Sequence, residues 1–207
     1  MKKFAILLAF SMIASSAFAL VDDGNSSLGF YFDNAGDINC FAPAPFVPFS
    51  AYFIIANPEV ANMGGFEFAW RFSPQPASAP IVQNFVLPAQ ALNIGTQNNV
   101  IVGLGNGLLT SEATVLVRID MILLAAMDPA TYVQVGPATP ASHPGHAAYN
   151  NFANPAEIID MNFSTVNGID NTVGTDGWVV PGIAKMSCDG PVATESETWS
   201  GVKALFQ

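Results

Sequence analysis

Basic side chains are scarce in this sequence: six Lys and Arg stand against sixteen Asp and Glu in 207 residues. Two of the six, Lys2 and Lys3, sit at the extreme N-terminus, so without them the balance is 4 minus 16, or −12. Nucleic acids and anionic lipid surfaces are gripped by basic faces that release counterions, and this chain has no such face to offer. Histidine is scarcer still, His143 and His146 being the only two, which leaves little imidazole for acid–base chemistry. No Gly-x-Ser-x-Gly elbow occurs, so the serine nucleophile of that strand–turn–helix arrangement is missing. Long apolar runs are also absent beyond the first twenty residues, although 51% of the chain is hydrophobic. The longest, Ala113 to Met127, contains Arg118 and Asp120 and is too short to span a bilayer as a helix.

The start of the chain reads Met1-Lys2-Lys3, then an apolar run from Phe4 to Phe10, then small residues closing on Ala17-Phe18-Ala19. That charged, apolar and cleavable order is that of a secretory signal peptide over residues 1–19, with Leu20 as the mature N-terminus. The expected location is secreted or periplasmic. Disulfides persist in that compartment, and the only two cysteines, Cys40 and Cys188, are expected to pair. In the chain-entropy account, closing a loop of this length contributes about 5 kcal/mol as an upper value. Neither cysteine has a Cys or His at metal-ligand spacing.

The rest of the chain alternates. Phe66, Phe68, Trp70 and Phe72 share one face of Gly65–Phe72, with Glu67 and Arg71 on the other; this predicts a strand whose rings form a core stripe rather than an exposed sugar platform. Val115, Val117, Ile119 and Met121 likewise oppose Thr114, Arg118 and Asp120. Further strands are expected at 28–33, 50–56, 81–87, 100–104, 131–135, 158–163 and 178–180, from their β-branched and aromatic content. Turns are expected at Asn57-Pro58, Ser73 to Pro76, Gly103 to Gly107, Gly136-Pro137 and Asn167-Gly168. Fifteen Pro and seventeen Gly argue against helices of ordinary length. One helix is expected, over 194–207: Thr194-Glu195-Ser196-Glu197 fits a capping box, and Trp199, Val202, Leu205 and Phe206 follow at helical spacing. A terminal membrane strand would alternate instead. The organisation is therefore a leader (1–19), an all-β sandwich of immunoglobulin-like or jelly-roll type (20–193) and a short amphipathic helix packed on it (194–207).

Chemistry is thin. Gly103-Leu104-Gly105-Asn106-Gly107 lacks the following helix and the Lys of a phosphate loop and reads as a turn. Two acidic loops, Asp33 to Asp37 and Asp170 to Gly177, carry the clustered oxygens that calcium requires, with Asp170 and Asp176 the leading ligands and Gly174 expected to let the loop curl. Asp and Asn with Gly are equally the composition of plain turns. His143 and His146 lie in the long irregular stretch Ala138 to Asn154, where they would hold a metal only if a carboxylate arrived from elsewhere. The acids single out no glycosidase pair. No catalytic centre and no cofactor, apart from the calcium candidate, are expected.

Two stretches, Tyr52-Phe53-Ile54-Ile55-Ala56-Asn57-Pro58 through Gly65-Phe66-Glu67-Phe68, and Leu109 through Val117, resemble the strand pattern of cohesin-like and related immunoglobulin-like sandwiches of exported bacterial proteins. The resemblance covers about a third of the mature chain, at core and turn positions, and carries over no binding residue. It implies a jelly-roll sandwich of a kind that, in cohesins, docks a calcium-binding partner module. The expected role is a non-catalytic binding or structural domain engaging protein or glycan; a polysaccharide-acting hydrolase and an outer-membrane component are the alternatives.

Overall fold

The computed structural model of the chain describes residues 24–75, 77, 79–164, 169 and 171–186. The expected leader (1–19), the expected helix (194–207), Cys188 and Asp170 lie outside the described residues. Every regular element described is a strand: β1 (Ser27–Tyr31), β2 (Phe49–Ala56), β3 (Asn62–Ser73), β4 (Ile81–Val86), β5 (Ala91–Asn93), β6 (Asn99–Leu109), β7 (Ala113–Leu123), β8 (Tyr132–Gly136), β9 (Ala148–Asn151), β10 (Ile158–Asp160), β11 (Asn162–Phe163), β12 (Thr172–Val173), β13 (Val179–Val180) and β14 (Ala184–Lys185). Among the described residues no helix is long and apolar enough to cross a membrane.

One sheet has the order β11-β1-β2-β7-β4, and a second has β10-β9-β3-β6-β5, with β8 also paired to β3 and to β14. All ladders are antiparallel except β1 with β11. The sheets face each other across one core. Phe53 of β2 meets Phe68 of β3 at 4.7 Å between ring centroids, and Phe30 of β1 stacks on Trp70 of β3 at 6.4 Å. The four-ring stripe is buried throughout, as the alternation predicts. Burying each such side chain contributes about 1.5–3 kcal/mol, which is why β3 is central to its sheet. The sandwich-like all-β class follows from this packing.

Polar ties also cross the core. The Tyr149 hydroxyl, reached from β9, lies 2.6 Å from Ser26 Oγ just before β1 and accepts from the Glu59 amide at 2.9 Å. Burial, partly offset by the Ser26 hydrogen bond, pushes this phenol above its ordinary range, so it stays neutral.

Three expectations need correction. The alternation of β7 breaks at a bulge: Phe53 pairs with Val117 but Ile54 with Val115. The extra residue reverses which side faces in, so Thr114 and Leu116 are buried while Val115 is only partly so. Gly103 to Gly107 is not a turn but part of β6: Gly103 pairs with Gly65 of β3 and Leu92 of β5, after which the strand bulges away from β3 until Leu108 meets Met63, with Gly107 at φ +70° supplying the irregular backbone. The stretch Ala138 to Asn154 is not irregular throughout, since it contains β9.

Candidate functional site

The twelve residues of β3 are longer than either neighbour on one of its edges. There β9 pairs with Met63 to Glu67 and β8 with Ala69 to Ser73, end to end. The chain joining them, residues 137–147, has no sheet position to occupy and runs over the outer face. Asn99 ties it down at Thr139 with two hydrogen bonds, and further along it is held by Glu67, which points away from the ring stripe and is only 7% exposed. Its carboxylate accepts from the Ser142 amide and, at 2.9 Å, from the Ser142 hydroxyl. Glu67 lies on the face opposite the rings, as the alternation predicts, and there the loop covers it.

Beside this loop the outer face carries a groove of about 270 Å³. Its floor is made where side chains are missing: Gly65 pairs with Gly103, and Gly103 with Leu92. A Cβ at Gly65 would lie 2.6 Å from the Val102 carbonyl, whereas one at Gly103 would meet nothing within 4 Å. Ile94, Ile101 and Ile158 form aliphatic walls, and Glu67, Ser142 and Asn150 supply polar atoms. Asn150 Nδ2 donates to the Pro155 carbonyl at 3.2 Å. Its Oδ1 is buried without a hydrogen-bond partner, an acceptor whose desolvation nothing in the fold offsets.

At one end of the groove the loop brings His143 and His146 to Asp160, the last residue of β10. His143-Pro144-Gly145-His146 forms a tight turn in which the His146 amide donates to the His143 carbonyl at 3.2 Å and Gly145 has φ +85°. Proline second and glycine with positive φ third is the sequence demand of a type II turn. The imidazoles stack at 4.8 Å with 17° between planes. His143 Nδ1 lies 2.5 Å from Asp160 Oδ1, and His146 Nδ1 lies 3.5 Å from Asp160 Oδ2.

Of the other expected site residues, Asp170 and Cys188 lie outside the described residues, and the rest are placed as follows. Asp33 accepts from the amides of Ala35, Asp37 and Ile38 at 2.7–3.1 Å and so folds its own loop. Asp176 is exposed and accepts from the Trp178 amide at 3.2 Å in the β12–β13 turn. The residue with positive φ there is Gly177, at +80°, rather than Gly174. Cys40 forms an isolated parallel bridge with Lys185, three positions before Cys188. Arg71 is stacked over the Trp178 ring at 3.9 Å and donates from Nε to Gln134 at 2.8 Å.

No family model matches the chain, and no curated protein or solved structure was found to be similar to it. Function therefore rests on the groove and its surroundings. Sequence reasoning missed Glu67, Asn150 and Asp160 because each acts only once strand pairing has set its neighbours. The one available signal was the pair of glycines on strands otherwise rich in branched residues, a mark of close approach or an open face.

Proposed function

We propose that the chain is an exported, non-catalytic binding domain of the cohesin-like or jelly-roll sandwich type, which holds a segment of a partner protein in the outer-face groove. The form of the groove carries the reading: its floor is open at Gly103, where no side chain stands, between the aliphatic walls of Ile94, Ile101 and Ile158, and an extended peptide with apolar side chains fits such a trough. Between protein and glycan, the aliphatic walls favour protein, since sugar platforms are built from exposed rings and the two rings at this groove, Phe66 and Tyr149, are each only 2% exposed. Strand order supports the jelly-roll winding, because consecutive strands repeatedly cross between the two sheets. Export is supported by the leader pattern at residues 1–19. The bridge between Cys40 and Cys188 belongs to the same reading, supported by the position of Cys40 beside Lys185.

The test uses Gly103→Leu. Open space at its Cβ lets the side chain fill the groove without disturbing the ladder. A displayed peptide library and a glycan array, each probed with the mature protein and with this variant, should yield peptide ligands that the variant no longer binds. Peptides bound equally by both proteins, or ligands found only among glycans, would refute the assignment.

A further inference from the structure

The geometry points to a surface site for a divalent transition-metal ion, Zn2+ or a neighbour in that series, built from His143, His146 and Asp160. It does not depend on the groove being occupied. Three features argue for it together. First, the donors converge: one ligand atom from each of the three residues lies within 4.8 Å of the others. Second, the arrangement is held rather than collapsed by chance. The type II turn sets the two rings side by side, Glu67 fixes Ser142 immediately before it, and the buried Ala147 just after it accepts from the Met161 amide at 2.8 Å. From the other side the β12–β13 turn presses in so closely that a Cβ at Gly177 would stand 2.4 Å from the Gly145 carbonyl. Third, the site is open to an incoming ion, with side-chain exposures of 52%, 50% and 38% for His143, His146 and Asp160.

Two imidazoles and one carboxylate select the metal class. Calcium and magnesium are bound almost wholly by oxygen, so this set disfavours them; imidazole nitrogen suits Zn2+, Cu2+ and Ni2+. With metal–donor distances of about 2.0–2.2 Å, tetrahedral neighbours stand about 3.3 Å apart. The two histidine–aspartate separations, 2.5 and 3.5 Å, bracket that value, and no donor pair is more than 4.8 Å apart, so rotations of the exposed side chains bring all three onto one ion. On binding, each Nδ1 presents its lone pair to the metal and the ring proton resides on Nε2. The fourth position is left to water or to a donor from another molecule.

Isothermal titration of the full mature chain with ZnCl2, repeated with CoCl2 and its visible absorption, tests this. The expected result is one ion per chain, with a tetrahedral cobalt spectrum and no competition from excess calcium. His143→Ala and His146→Ala should each weaken binding by at least about tenfold, the scale on which even outer-sphere partners act; Asp176→Asn should leave it unchanged. Thermal melts of the apo variants confirm that they are folded. No zinc binding by the folded wild type, or binding retained in the double histidine variant, overturns the proposal.

Discussion

Glu67→Gln should loosen the chain around Ser142 while leaving the sandwich, and the ties of Thr139 to Asn99 and of Ala147 to Met161, intact. The substitution preserves shape but exchanges one carboxylate oxygen for an amide nitrogen. Ser142 directs two donors, its amide and its hydroxyl, at the carboxylate. Glutamine offers one acceptor, and its NH2 must face the other donor. Hydrogen bonds to a charged group contribute about 1.5–3 kcal/mol and neutral ones about 1 kcal/mol. Losing one and weakening the other, against the relief of no longer burying a charge, leaves a local loss of about 1–2 kcal/mol. That is about a 5–30-fold rise in the open population of the segment. Amide hydrogen exchange reads this directly: protection at Ser142 should fall by that factor, while the β3 amides paired to β6 keep theirs. Unchanged protection at Ser142 would refute the role given to Glu67. Loss of protection throughout β3 would refute the claim that the effect is local.

Four further outcomes follow from the geometry. Trp70→Ala, at a ring only 1% exposed, should cost about 3–5 kcal/mol in urea unfolding. Gly177→Ala, with φ +80° and its Cβ forced against the Gly145 carbonyl, should cost at least about 1–3 kcal/mol by the same measurement. The Ser50 hydroxyl, which donates to Asp120 at 2.7 Å, holds the Asp120 carboxyl below its ordinary range; burial opposes it, and the neighbouring Arg118 guanidinium adds to the lowering. Its contribution is therefore present above about pH 4 and lost as the pH falls through the depressed value, so the stability difference between wild type and Asp120→Asn should shrink in acid. Mass spectrometry of the unreduced mature protein should show both cysteines resistant to alkylation until reduced; two labelled thiols would remove the proposed bridge.

The parts of the fold legible in the sequence were those written in local periodicity. The ring stripe of β3 alternates over four turns of the pleat, and burial requires nothing more to read it. β7 was legible only as far as its bulge, because an inserted residue that reverses the faces leaves no mark in composition. β9, with Ala148-Tyr149-Asn150-Asn151, was hidden because asparagine usually signals loops; here cross-strand pairing with β3 decides. Of the site, the histidines were visible as a pair, but their carboxylate was not. Asp160 reaches them through the β9–β10 ladder, in which it pairs with Ala148, and nothing within a window around His143 announces that pairing.

The end-to-end docking of β8 and β9 along one edge of β3 has a consequence for engineering. Each short strand keeps its own register against β3, so the distance along the chain between them is not set by the sheet. Residues can be added between Thr139, which is tied twice to Asn99, and Ser142 without shifting any ladder, and loop lengthening is entropically mild. That junction is where a foreign epitope or a tethering tag is best grafted, on the same face as the trough and with both anchoring strands left as they are.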